Sequence, residues 1–362
     1  MKKYHPLCCI LSSFSILSLP QCAASFARRP SSQTLPYSII TPNDVHFPIL
    51  YENDHLLAIC KPPHIPHHDD PDSNQLGIMS LIRNQQQQQS TKFSYPHRLY
   101  GVHRLDRVTS GILLLAKSSD IANELVNKFK QKEVTKYYMA ISAKKPRKKK
   151  QGWVKGNMVL GRRGSYKLVN ENKKEETSLV SSLSLEDYSD DTTTTTTTAT
   201  SNYAVTRFFT AGLGNMALSS SLLQDVDDDS SSDEDDIISS IPKTAILFQP
   251  HTGKTHQLRV AAKSVGLPIL GDARYGGGRV CCASDTTTTT SSSDVDFDRT
   301  YLHAAAIHFE INNEEVCIYS PPPFGHLFSS SSELDDVFVG MMKKHCDGDD
   351  PILRHLGDRK TL

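Results

Sequence analysis

No C-x-x-C pair and no regular cysteine framework occur in this sequence: the eight cysteines fall at positions 8, 9, 22, 60, 281, 282, 317 and 346. Three lie in an N-terminal leader and two in a Thr/Ser-rich stretch, which excludes a disulfide scaffold and a structural zinc site and leaves reduced thiols. No long apolar run is present either. The longest candidate, Leu7 to Leu19, is too short to span a bilayer well. A phosphate-binding loop is missing: "GKT", Gly253 to Thr255, has Phe248 where the first glycine of that motif belongs. A kinase catalytic loop is missing too, because Leu105 separates arginine from aspartate in "HRLDR" and no D-F-G follows.

Net charge is also lacking, with 40 basic against 40 acidic residues, but this is an average over uneven segments. Asp225 to Asp236 holds eight acidic residues, so the remainder is net basic by eight. "KKPRKKK", Lys144 to Lys150, places six cations in seven positions. That density fits a polyanion such as RNA, bound through phosphate contacts and counterion release, or else a solvated loop or localisation signal.

The N-terminus reads as an address. Residues 1–24 have signal-peptide form, with Lys2 and Lys3, an apolar stretch and small residues at Cys22-Ala23-Ala24. Residues 25–45 have transit-peptide form, carrying Arg28, Arg29 and many hydroxyl groups. "AASFARRP" resembles the bipartite presequence of algae with secondary plastids, so a plastid is the expected compartment, with mitochondrion or secretory pathway as the alternative.

The 362 residues suffice for one elaborated domain or two. "FPILYENDHLLAICKPP" predicts two short strands joined at Asn53-Asp54. "HIPHHDD", His64 to Asp70, predicts a polar loop, with metal ligation the alternative reading. Ile112 to Ala116 predicts a strand, followed by a helix capped by Asp120 with Ile121, Leu125 and Phe129 on one face. "VTKYYMAIS" has strand composition. About 170–202, 217–240 and 281–298 turn to Thr, Ser and Asp, too polar to offset chain entropy by burial. These segments interrupt strand-like runs without dividing them. The expected fold is α+β, a mixed, mainly antiparallel sheet flanked by helices over 46–325, with 326–362 as a C-terminal tail.

"HTGKTHQLRVAAKSVGLPILGD" predicts a helix capped by Thr255, with Leu258, Ala262 and Val265 as an apolar stripe ending at Gly266. Arg259 lies beside the stripe, and a buried arginine needs a carboxylate. Asp106 is the candidate. A carboxylate held by arginine stays ionised, which suits a nucleophile. A purely structural Asp–Arg bridge satisfies the same spacing.

"HRLDRVTSGILLLAK" resembles the H-R-L-D-x-x-T-S-G signature of the RluA-type pseudouridine synthases, with every fixed position filled. "ILYENDHLLAICKPP", "EVTKYYMAI", "HTGKTHQLRVAAKSVGLPILGDARYG" and "YLHAAAIHF" resemble that family's other motifs in its order. The resemblance covers Ile49 to about Pro323 apart from the insertions. Two positions depart from the family: Lys254 stands where arginine is usual and Ala261 where histidine is frequent.

The resemblance implies an isomerase that converts uridine in rRNA or tRNA to pseudouridine by base flipping, with no cofactor and no metal. It implies that Asp106 is the catalytic aspartate, that Arg259 pairs with it and that Tyr137 packs against the target base. Arg104 is expected to occupy space vacated by the flipped uridine. His103, Arg107, Lys254 and His256 in the same motifs are expected RNA contacts, and Lys144, Lys148 and Arg162 expected phosphate contacts. Addition of Asp106 to C1′, addition to C6 and removal of a ribose proton are all open. RNA is the expected partner, a membrane is not, and a monomer is expected. Residues 25–45 are too short for an S4-like RNA-binding domain.

Overall fold

A computed structural model describes residues 47–71, 75–87, 98–147, 149–169, 202–219, 238–278, 299–322, 331–346 and 348–357. The leader segments 1–24 and 25–45, Lys148, and nearly all of the three polar insertions lie outside the described residues.

The chain opens with the expected hairpin, β1 (Ile49–Glu52) antiparallel to β2 (Leu56–Lys61). The Asn53 side chain closes its turn, accepting from the backbone N–H groups of His55 and Leu56 at 2.9 and 2.8 Å. Helix α1 (Ile78–Gln87), the short β3 (Tyr100–Gly101), β4 (Ser110–Ala116) and α2 (Ser119–Gln131) follow. Every residue of β4 is buried. Ile112, Leu114 and Ala116 pack with α2 residues Ile121 and Leu125, while Leu113 and Leu115 pack with α1 residues Ile78, Leu81 and Ile82. A strand covered on both faces needs an unbroken apolar run, which is what "ILLLA" supplies.

The helix cap differs from expectation. Ser118, not Asp120, is the N-cap of α2: its backbone is extended and its side chain accepts from the Ile121 N–H. Asp120 sits one residue inside the first turn, where its charge complements the helix dipole.

Strands β5 (Thr135–Ser142), β6 (Gln151–Leu160), β7 (Tyr166–Val169), β8 (Tyr203–Ser219) and β9 (Ile238–Pro250) lead to α3 (Gln257–Ser264), then β10 (Leu302–Ile311) and β11 (Glu314–Tyr319). One sheet results, in the order β1-β2-β4-β10-β5-β9-β8-β6-β7, with β11 on β10 and β3 on β4. The β4–β10 pair is parallel and the other pairs are antiparallel, as the α+β expectation requires.

Two boundaries shift. Residues 217–219 and 238–240, read as insertion, are strand: Ala217 pairs with Ser240 and Ser219 with Ile238, so β8 and β9 extend the hairpin. Residues 326–362 are more than a tail. Helices α4 (Ser331–His345) and α5 (Pro351–Gly357) bury Leu334, Phe338, Met341, Met342, Ile352 and Leu356 in the main core with Tyr137, Met139 and Leu247. Burying six such side chains contributes on the order of 10 kcal/mol before chain entropy is set against it.

Candidate active site

Asp106 sits in the loop between β3 and β4, where its carbonyl accepts from the Thr109 N–H at 3.0 Å to close a turn. The loop is pinned from two sides. At Gly111, with φ 112°, a Cβ would lie 2.3 Å from the Ala304 carbonyl oxygen, so only glycine lets the turn enter β4 against β10. Next to it, the Ser110 hydroxyl is 2.9 Å from His303 Nδ1, and the Arg299 guanidinium donates to Ser110 at 3.3 Å.

From the opposite side comes Lys61, wholly buried at the end of β2. Its ammonium donates to the carbonyls of Pro62 and Ile65, both at 2.9 Å, and of Arg107 at 3.3 Å. Burial pushes the Lys61 pKa down to about 7, and the nearby Asp106 charge opposes that shift. Lys61 thus ties the residue after Asp106 to the hairpin.

Arg259 is buried on α3 and reaches Asp106, with Nη1 3.7 Å from Oδ2. Its principal partner is a different carboxylate. Nε and Nη2 donate to the two oxygens of Asp272, each at 2.7 Å, and Asp272 is 1% exposed. The expected Asp106–Arg259 pair is present, and Asp272 is a further partner: a planar guanidinium has two usable edges, and the fork fills one. Tyr275 lies under the guanidinium with 4.9 Å between Cζ and the ring centroid. The arginine is fixed on three sides, and the Asp106 carboxylate, 28% exposed, keeps oxygen surface open to a substrate.

The tyrosine assignment is also corrected. Tyr137 points to the other face of the sheet, where its hydroxyl donates to Asp350 at 2.7 Å and lies 3.3 Å from Cys346 Sγ. Adjacent strand residues face opposite sides, so Tyr138 takes the site side. Tyr138 packs into the cluster that holds Leu105 and Ala304, and burial together with the Asp106 charge raises its hydroxyl pKa. It lines a small recess with His103, Lys136 and Ala304.

His103 also departs from expectation. It turns inward, where its Nε2 accepts from the Leu114 N–H at 2.9 Å and its ring stacks on Phe129 at 5.0 Å. Burial lowers its pKa to about 3, so it is a neutral brace for β4 rather than an exposed RNA contact. Arg104 and Arg107 are exposed. Arg104 donates to the Thr255 hydroxyl at 3.0 Å, joining the two motif loops.

Thr255 therefore does not cap α3. His256 occupies that position in the left-handed region, φ 57°, and its Nδ1 is 2.8 Å from the Tyr275 hydroxyl. The Gln257 side chain accepts from the Lys254 N–H at 2.9 Å and so orders the loop that leads into the helix. Lys254 is half-buried at this loop. Arg162 is exposed in the β6–β7 turn, which Arg274 joins to the Tyr275 turn through the Gly164 carbonyl at 3.3 Å. Lys144 is exposed in the β5–β6 loop.

In "HIPHHDD", Asp69 accepts from the Gly77 N–H at 2.7 Å and the Ser80 hydroxyl at 2.9 Å, so the loop organises the start of α1. Among the described residues no three His, Cys, Asp or Glu side chains gather as a metal site.

The family described as RNA pseudouridylate synthase matches residues 55–264. The chain belongs to this family. Its members are isomerases, and the match includes Asp106, Arg259 and Tyr138. An RNA pseudouridine synthase of Haemophilus influenzae is 28% identical over 296 residues, covering 82% of this chain and 96% of that protein. A tRNA pseudouridine synthase C of Yersinia pestis is 24% identical over 298 residues, 82% of this chain and 90% of its own. A ribosomal large subunit pseudouridine synthase C of Vibrio parahaemolyticus is 28% identical over 300 residues, 82% and 69% respectively. RNA pseudouridylation is thus the activity of the family that this site serves.

Proposed function

We propose that the chain isomerises particular uridines of an rRNA or tRNA with Asp106 as nucleophile and without a cofactor. The observation that carries this reading is the Asp106 carboxylate, partly exposed beside Arg259 while Asp272 and Tyr275 hold that arginine from behind.

The reaction breaks the N1–C1′ bond and forms a C5–C1′ bond, and the C5 proton is lost while N1 gains one. Atoms and oxidation state balance, so the chemistry asks for a carboxylate, a positioned base and a dry pocket. With addition at C1′, the Asp106 carboxylate bonds to C1′ as the N1–C1′ bond breaks, the freed uracil turns, and C5 displaces the carboxylate as the C5–C1′ bond forms. Arg259 sets its positive charge beside the Asp106 carboxylate, with Nη1 3.7 Å from Oδ2. Extruding the uridine costs a few kcal/mol, which stacking on Tyr138 and filling of the gap by Arg104 offset in part.

The names of the relatives divide between tRNA and ribosomal RNA, so both substrates fit this reading. The composition of residues 1–45 supports a plastid address. A fluorescent fusion of that segment tests the address, and secretion or mitochondrial import would refute it. For the chemistry, Asp106→Asn is expected to abolish pseudouridine formation while RNA affinity and folding persist. Wild-type turnover in that variant would refute the assignment.

A further inference from the structure

The chain has a single tryptophan, and it is half exposed: Trp153 on β6 has 50% of its surface accessible. Its neighbours are cations and an imidazole. The Lys155 ammonium lies 5.0 Å from the ring centroid, the Arg207 guanidinium 5.7 Å, and the His251 ring 5.0 Å away in a tilted arrangement. Trp153 pairs across the strands with Arg207, and alternation along β6 puts Lys155 on the same face. Partial burial and the surrounding cations Arg207, Lys136, Lys132 and Lys155 hold His251 below its usual pKa, a sign of positive potential there.

The location favours an extended polyanion. Register runs from Tyr138 to Phe248, Phe208 and Gly152, so Trp153 faces away from Asp106, on the side of Tyr137. Yet the two sites are close in connectivity: His251 begins the loop that ends at Thr255 and His256 beside the active site. Among the described residues, β7 covers only Asn157 to Leu160 of β6, so at Trp153 the strand is an edge around which a chain can pass. Lys149 and Lys150, exposed members of the basic run, lead directly into this strand.

We propose that Trp153 is a stacking platform for an unpaired base of the substrate RNA outside the catalytic pocket, with Lys155, Lys149 and Lys150 on the flanking phosphates. The proposal rests on the reading of the chain as an enzyme acting on RNA. An exposed ring with cations around it binds any base by its π-face, and the exposed Lys155 ammonium exchanges a weak ring contact for a phosphate. Arg207, held by the His345 carbonyl at 3.2 Å, stays as part of the platform floor.

Because the chain contains one tryptophan, its emission reports this site alone. Titrating the full chain with a single-stranded RNA of about a dozen nucleotides should quench that emission saturably. Trp153→Ala should weaken binding of that RNA by about 5- to 150-fold, and Trp153→Phe should recover most of the loss. With substrate RNA, Trp153→Ala should raise KM and leave kcat unchanged. Unchanged emission when anisotropy shows the RNA bound, an unchanged KM in Trp153→Ala, or quenching by an acidic peptide and not by RNA each overturns the platform. RNA-dependent quenching in a wild-type protein that forms no pseudouridine supports the platform and refutes the isomerase reading, so the two failures are distinguishable.

Discussion

Arg259 grips Asp272 with two hydrogen bonds of 2.7 Å, so the arginine next to Asp106 is held by a second, deeper carboxylate. The pair divides labour between the two acids. Asp272 fixes the guanidinium, and the 3.7 Å approach to Asp106 supplies charge without consuming an oxygen lone pair in a short hydrogen bond.

Asp272→Asn therefore removes the holding charge from a buried pair, at a cost of about 3 to 5 kcal/mol, and lets the guanidinium move onto Asp106. Both the urea midpoint and the single-turnover rate should fall. Asp106→Asn should change stability by less than about 1 kcal/mol, because that carboxylate is partly solvated and its contact is long. Comparable loss of stability in the two variants would contradict this division.

The two adjacent tyrosines should separate stability from catalysis. Tyr137→Phe deletes a hydrogen bond to the Asp350 carboxylate, a loss of about 1.5 kcal/mol in stability with kcat unchanged. Tyr138→Ala should lower kcat/KM by about 5- to 150-fold, the worth of one base stacked on an aromatic ring. The reverse pattern would restore Tyr137 to the site.

That distinction was hidden in the sequence for a physical reason. Strand β5 runs through the middle of the sheet, and its buried residues leave no polar alternation from which to tell its faces apart. Strand β4 and the first hairpin were legible because turn residues bound short apolar runs. The caps were less so: Ser118 and Asp120 are both good N-caps, and backbone angles choose between them. Asp272 is not legible in the sequence because one carboxylate per arginine satisfies a spacing argument, and only the folded geometry shows that Arg259 takes two. The α4 signal was present, since Leu334, Phe338 and Met341 recur at helical spacing, but the surrounding Ser and Asp residues obscured it.

Lys61 gives the protein an alkaline signature. Its folded pKa of about 7 lies below the ordinary 10.5, so between those values the unfolded chain binds the extra proton. Stability then rises with pH across that window, and below about 7 the dependence from this group disappears. Urea denaturation at pH 7 and pH 9 should show the rise, and Lys61→Met should flatten it. An unchanged slope in Lys61→Met would assign the effect elsewhere.

His303 acts on the acid side. It is fully buried between Ser110 and the Ser320 carbonyl, and burial lowers its pKa to about 3. The unfolded histidine titrates near 6.5, so stability is lost as pH falls below that value, by on the order of 1 kcal/mol per pH unit for this group. His303→Gln, which keeps polar atoms in place, should reduce the slope between pH 6 and pH 4, to be read from denaturation midpoints. A slope identical to wild type would show that His303 binds its proton equally in the folded and unfolded states.

The acidic tract Asp225 to Asp236 lies within the connection between Ser219 and Ile238, the last paired residues of the β8–β9 hairpin. Strand pairing closes before the tract begins, so no described core contact depends on it. Deleting the tract leaves a connection roughly a third as long, and the smaller closure entropy stabilises the hairpin by about 1 kcal/mol. Loss of eight negative charges also weakens the long-range repulsion between the chain and RNA phosphates. The deletion variant should therefore melt at or slightly above the wild-type temperature, turn over substrate at the same kcat and bind RNA somewhat tighter at low salt. A lower melting temperature would place the acidic tract in the fold, and a lower kcat would give it a part in the reaction.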